Sequence, residues 1–369
     1  MWLRGRRVSI AWCDGGHYAA LGILPGDYMQ LKRIVVALAA AGTLALCPTL
    51  ASAQQTIDVV KKRGQLVCGV NGSLPGFSLF NAVREWEGLD VDYCRAVAAA
   101  VLGDASKVKF VTLTAQQRFS ALAAGEVDML ARNSTVTLER VAGTKVRFAA
   151  VNYYDGQAFV VPKRLKIETL TALRNGNICV TKGTTHAVNI ENWFQVRRLS
   201  VNIVNFDTQD AMYEGFFGSR CLAISQDATA LAATLVRSGK AGDHAMLPDI
   251  ISKEPLGAFV RSGDEAWLDV VRWTHYAMLE AEEREITKGN VDSKRESTDP
   301  AVRRFLGLTP GNGKALGLDE AWAYNAIKQV GNYSETFERN VGARSPLGFG
   351  RGVNALWSKG GLMYPMPIR

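Results

Sequence analysis

From Gln65 onward the chain alternates short apolar runs with amphipathic stretches. QLVCGV (65–70) has the length and composition of a strand, LDVDYCRAVAAAVLG (89–103) reads as a helix ended by Gly103, and VKFVTL (108–113) is a second strand. Thr114 is placed to cap AQQRFSALAAG, Gly125 to stop it, and VDML (127–130) to return as a third strand. The order repeats further on: NICV (177–180), GTTHAVNIENWF (183–194), VNIVNF (201–206), QDAMYEGFFG (209–218) and CLAIS (221–225) read strand, helix, strand, helix, strand. Such alternation predicts an α/β architecture with mostly parallel sheets flanked by helices. Two runs of it predict two lobes, each about 100 residues and so of ordinary domain size.

Between the runs lies NYYDGQAFVVPK (152–163), and after the second comes EPLGAFVRSGD (254–264). Both are extended, contain glycine and are too apolar for a floppy linker. They are expected to be two hinge strands on which the chain crosses between lobes, with rotation absorbed near Asp155–Gly156 and Leu256–Gly257. The expected layout is residues 54–155 and 258–369 in the first lobe and 156–257 in the second. WLDVVRWTHYAMLEAEERE (267–285) is a long amphipathic helix, and DEAWAYNAIKQVGNYSETFERNVG (319–342) a helical tail packed on the first lobe.

The start of the chain changes what should be counted. Met29–Ala53 carries Lys32 and Arg33, then an apolar run, then small residues at Ala51 and Ala53, the layout of a cleavable secretory signal. Residues 1–28 then look like an over-extended start, and a lipid anchor on Cys47 is disfavoured by the bulky Leu46 before it. Residues 1–53 hold five of the 43 basic and two of the 35 acidic residues, so the exported chain has a net charge of +5. That mild charge has no basic block and gives no nucleic-acid footprint. Export makes disulfides possible for the four remaining cysteines. Of the three pairings open to them, Cys68 with Cys94 and Cys179 with Cys221 close the shortest loops. No C-x-x-C pair or Cys/His cluster suggests a metal, and no pattern calls for a cofactor.

In an open α/β sheet, ligands sit beyond the carboxyl ends of the strands. Three polar segments follow strands here: ARNSTVTLER (131–140), GTT (183–185) and SQD (225–227). Arg140 offers a planar fork suited to a carboxylate, and the N–H groups of Thr184 and Thr185 at a helix start can share that anion. Asp227 offers a negative charge to an ammonium, helped by the Thr135 hydroxyl and the Asn133 carbonyl. A carboxylate and an ammonium held together describe an α-amino acid. Singly, each feature has an ordinary reading as a surface ion pair or a helix cap.

TLERVAGTKVRFAAVNYYDG resembles the T-x-x-R-x(n)-F-s-x-x-Y-Y segment of periplasmic amino-acid-binding proteins that feed ABC importers. WEGLDVDYCRAVAAAVLGD, GEVDMLARNSTVT, KGTTHAVN and GGLMYPMPIR resemble in particular the general L-amino acid-binding proteins of proteobacteria. The resemblance implies the two-lobed type II periplasmic-binding-protein fold, with Thr135, Arg140, Thr185 and Asp227 matching positions that grip the ligand backbone. It implies a periplasmic protein that binds small-molecule L-amino acids, transient contact with inner-membrane ABC permease subunits, and a monomer. Leu74 stands where narrow-specificity relatives carry an aromatic, which with Gly76 suits a roomier wall and broad specificity; Phe77 is a core candidate. Lys182 is expected to be solvated.

Two other functions fit the same fold. One is a periplasmic arogenate or cyclohexadienyl dehydratase, which needs a general acid or base in the cleft. Asp227 is expected to be ion-paired, and His186, His244 and His275 show no triad partner in sequence, so no enzyme is expected. The other is a sensory amino-acid-binding module.

Overall fold

The computed structural model describes residues 55–369. The expected start and signal segments, residues 1–53, lie outside the described residues. Thirteen strands follow in chain order: β1 Leu66–Val70, β2 Ser73–Leu74, β3 Ser78–Phe80, β4 Trp86–Glu87, β5 Val108–Thr112, β6 Met129–Thr135, β7 Val146–Asp155, β8 Gln157–Pro162, β9 Asn177–Thr181, β10 Asn202–Phe206, β11 Ala223–Asp227, β12 His244–Met246 and β13 Glu254–Arg261. They form two five-stranded sheets, ordered β5-β1-β6-β13-β7 and β10-β9-β11-β8-β12, and a small ribbon of β2, β3 and β4.

In the first sheet β1 runs parallel to β5 and β6, and β13 runs antiparallel to both β6 and β7. In the second, β9 runs parallel to β10 and β11, and β8 runs antiparallel to β11 and β12. Each sheet is thus parallel except for one strand. Those two strands, β8 and β13, are the ones on which the chain enters each sheet after leaving the other.

The first crossing falls at Asp155–Gly156, between β7 and β8. The second differs from the expectation. Leu256 and Gly257 already pair inside the first sheet, Leu256 with Thr135 and Tyr153 and Gly257 with Ser134 and Val151. The passage between sheets therefore lies between Met246 and Glu254. Gly257 answers to a close approach rather than a hinge, because a β-carbon there would stand 2.3 Å from the Ala150 carbonyl oxygen.

Period-two alternation builds the second lobe. Val160 and Cys179 face one helical layer with Met212, Phe216 and Leu231, while Phe159, Val161, Ile178 and Val180 face the other with Ile190 and Phe194. Helices cover both faces, which is why these strands read as unbroken apolar runs.

The first lobe has a larger core. Its helix Leu89–Leu102 packs on the long helix Glu265–Glu283 and on Trp322–Val330 from the C-terminal region. Trp267 and Trp322 are buried there, and burial of each large apolar side chain contributes roughly 1.5–3 kcal/mol. The expected tail helix is two helices, Trp322–Val330 and Tyr333–Asn340. Gly331 separates them, and Asn332 with Glu335 forms a capping box that starts the second. This region also touches the crossing strand. Tyr333 Oη donates to the Asn152 carbonyl at 2.7 Å, and Asn354 bonds the Tyr154 backbone on both its N–H and its C=O.

Cys68 is bonded to Cys94 and Cys179 to Cys221, with Cα separations of 6.3 and 5.7 Å. Each bridge lies within one lobe. No helix among the described residues is long and apolar enough to cross a membrane, and none of their His, Cys, Asp and Glu side chains cluster as a metal site.

Candidate functional site

β6 runs further than the apolar VDML run suggested, through Ala131–Thr135. Its pairing with β13 slips: Gly257 faces Ser134 and Ala258 faces Ala131, so Arg132 and Asn133 form a bulge. Asn133 sits at φ +32° there, its N–H held by Asp90 Oδ2 at 2.9 Å and its Oδ1 by Asn71 Nδ2 at 3.3 Å. The bulge turns both Arg132 and Asn133 toward the cleft between the lobes.

That cleft is lined by Arg118, Arg132, Asn133, Thr135 and Arg140 of the first lobe and by Thr184, Thr185, His186, Gln209, Gln226 and Asp227 of the second. Six of the seven candidate ligand residues thus share one cavity. Leu74, the seventh, does not line it; it is fully buried in the first lobe's core, beside Phe77, so the roomier wall expected at this position is not part of the cavity. Lys182 makes a rim ion pair with Asp207 at 2.7 Å.

Arg140 follows Thr137, whose hydroxyl accepts the Arg140 N–H and caps the short helix Leu138–Gly143. Its guanidinium donates to the Thr135 carbonyl at 2.8 Å and, across the cleft, to the Gly183 carbonyl at 3.4 Å. Arg118 donates to the same Gly183 carbonyl at 3.1 Å, and its Nε has no partner. Burial lowers the pKa of both Arg118 and Arg140, and that of Arg132 to about 10. Three guanidinium groups face one carboxylate, Asp227, among the lining residues, so the cavity favours an added anionic group.

Asp227 ends β11, and its Oδ1 accepts from His186 Nε2 at 3.0 Å. His186 therefore does have a carboxylate partner, a contact between helix start and strand end that sequence spacing concealed. Behind it, Asp155 accepts from the Gly156 and Thr229 N–H groups. Burial, and then the Asp227 charge, push the Asp155 carboxyl well above the usual carboxylate range.

The lobes touch across the cleft. Asn71 donates to Gln209 at 3.2 Å, and the Tyr153 and Thr229 hydroxyls are 3.0 Å apart. Gly183 has φ +74°, and a β-carbon there would stand 2.9 Å from Ala115 C and O and from Gln116 Cα. The remaining cavity is about 20 Å3, room for about one water molecule. An amino acid enters only if the lobes part. A larger cavity of about 670 Å3, among Glu283, Arg304, Trp357 and Arg369 of the C-terminal region, gathers no strand ends.

Residues 66–290 match the bacterial extracellular solute-binding proteins, family 3. The chain belongs to this family. It is accordingly a solute-binding protein of an ABC importer and not an enzyme. It is 44% identical over 343 residues to the general L-amino acid-binding periplasmic protein AapJ of Rhizobium johnstonii, covering 92% of this chain and 100% of that one. It is 46% identical over 331 residues to the glutamate/glutamine/aspartate/asparagine-binding protein BztA of Rhodobacter capsulatus, covering 89% of this chain and 98% of that one. Among solved structures, an ABC transporter periplasmic binding protein from Brucella ovis with glutathione bound superposes with a TM-score of 0.83 at 45% identity, over 85% of this chain and 99% of that one. The type II periplasmic-binding fold expected from the sequence is therefore shown.

Sequence reasoning missed Arg118, Arg132, His186, Gln209 and Gln226. Arg118 reads as the polar face of a surface helix, and Arg132 enters only through the bulge. The placement of Gln209 and Gln226 at a helix start and a strand end was the available signal.

Proposed function

We propose that this chain captures L-amino acids of several side-chain types in the periplasm and delivers them to inner-membrane ABC permease subunits. Residues 29–53 serve as its export signal, cleaved near Ala53, and it acts as a monomer. The observation that carries the reading is opposed charge in one cavity: the Arg140 guanidinium from one lobe and the Asp227 carboxylate from the other. An α-amino acid carries both complementary charges on groups attached to a single carbon. Arg118, with an unpartnered Nε, and Arg132 suit a second carboxylate, so acidic side chains belong to the range.

Neither lobe holds both charges alone. Ligand therefore stabilises the closed form by contacts that only closure completes, with rotation at Asp155–Gly156 and over residues 247–253. The names of the relatives, a general L-amino acid binder and a binder of four acidic and amide amino acids, support this range.

Thermal-shift titration with the twenty L-amino acids, their D-enantiomers and glutathione tests it, because a ligand that binds only the folded state raises the melting temperature with concentration. Several L-amino acids are expected to do so and D-enantiomers not. Absence of any shift with any L-amino acid would overturn the proposal.

A further inference from the structure

Glu254 is fully buried at the start of β13, beside Asp155 of β7, and does not line the cleft. It nevertheless reaches both sides of it. Its Oε2 accepts the Thr135 hydroxyl of the first lobe and, at 3.0 Å, the Thr185 hydroxyl of the second. Its Oε1 accepts Asn189 Nδ2 at 3.0 Å and the Ser252 hydroxyl. Both threonines line the cavity.

A carboxylate oxygen carries no hydrogen, so each threonine must be the donor, and a hydroxyl has one hydrogen to give. Once it is directed at Glu254, only lone pairs remain for the cavity. We propose that Glu254 sets the hydrogen-bond polarity of the site: it makes the Thr135 and Thr185 hydroxyls acceptors, so that with Asp227 they select a ligand bearing an ammonium. The anion is left to Arg140 and to backbone N–H groups. This rests on the amino-acid reading of the site and adds the residue that decides which end of the ligand the hydroxyls read.

Glu254→Gln inverts the polarity at nearly constant shape. Asn189 Nδ2 is an obligate donor that also serves Gln157 Oε1 at 2.9 Å, so the new amide turns its oxygen toward Asn189 and its NH2 toward the two threonines. The threonines then accept from the amide, and their hydrogens are released into the cavity, where they oppose an ammonium and suit a carbonyl.

The test is calorimetric titration of wild type and Glu254→Gln with L-glutamate and 2-oxoglutarate, and in parallel with L-alanine and pyruvate. Each 2-oxo acid keeps the carboxylates and replaces the ammonium carbon by a carbonyl. Loss of hydrogen bonds to a charged group should weaken the amino acid by roughly tenfold or more, and the amino-to-oxo preference should fall by at least as much. An unchanged preference, whether both affinities hold or both fall together, overturns the inference, since a purely structural role moves both ligands alike. Should Glu254→Gln fail to fold, Thr135→Val and Thr185→Val carry the test: each should lower amino-acid affinity and spare the oxo acid, and equal losses overturn it. Wild type that binds no amino acid would refute the site reading instead, so the two failures are distinguishable.

Discussion

Replacing Gly183 by alanine separates closure from folding. The residue has φ +74°, which costs an L-residue about 1 kcal/mol whatever surrounds it, in the open and closed forms alike. The added β-carbon has a second effect confined to the closed form. It would lie 2.9 Å from Ala115 C and O and from Gln116 Cα, all backbone atoms of the other lobe that cannot rotate away. Relief requires the lobes to stay apart by several tenths of an ångström, which also lengthens the Arg118 and Arg140 bonds to the Gly183 carbonyl. Overpacking of this kind costs about 1–3 kcal/mol, so if the ligand-bound form keeps this approach of Gly183 to Ala115 while the cavity widens elsewhere, affinity should fall roughly 5- to 150-fold for every ligand. Calorimetric titration of wild type and Gly183→Ala with L-glutamate and L-alanine reads that loss, and denaturant unfolding without ligand reads the conformational cost. Small-angle scattering should show less contraction at saturation in the variant. Wild-type affinity in a variant destabilised by about 1 kcal/mol would refute the argument, because the glycine would then serve only its backbone angle.

Arg140→Ala should weaken all amino-acid ligands by about 2–5 kcal/mol, since it removes the grip on the carboxylate that every one of them carries; near-normal calorimetric affinities would exclude Arg140 from the grip. Mass mapping of unreduced protein should find Cys68 linked to Cys94 and Cys179 to Cys221, and loss of either bridge should lower stability by about 3–4 kcal/mol in the chain-entropy account; a bridge joining the lobes would refute the pairing. Burial raises the Asp90 carboxyl to about 6, so between its ordinary value of 3.8 and 6 the folded state binds more protons than the unfolded one. Its contribution to stability is thus full below pH 3.8 and is lost as pH rises through 6, a span of about 3 kcal/mol, and unfolding curves for Asp90→Asn should lack that part of the slope.

The parts of the molecule that are periodic were legible in the sequence. Unbroken apolar runs such as NICV and QAFVV alternating with amphipathic stretches, and helices ending at glycines, carried both lobes, and chain proximity carried the cysteine pairing. Arg140, Asp227 and the threonines were singled out because they stand at strand ends or in the polar segments just beyond them. The rest depends on contacts that no local pattern encodes. Arg132 faces the cleft because β6 gains two residues against β13, a register slip invisible in VDMLARNST. Glu254 opens an apolar strand, where a carboxylate looks like a solvated end, and its four donors come from positions 135, 185, 189 and 252. Leu74 was misplaced because a loop residue's direction depends on the β2–β3 ribbon that folds it inward.

The C-terminal region distributes stability unequally. It adds Trp322, Ile327 and Phe337 to the core of the first lobe and bolts the Asn152–Tyr154 segment to it, whereas the second lobe rests on two thin layers of its own. Amide hydrogens in residues 156–253 should therefore exchange through smaller local openings than those of β1, β6 and β13. A bound amino acid clasps the weaker half to the stronger, so the slowing of exchange that it brings should be greatest in the lobe that contributes fewer of the cavity's charges.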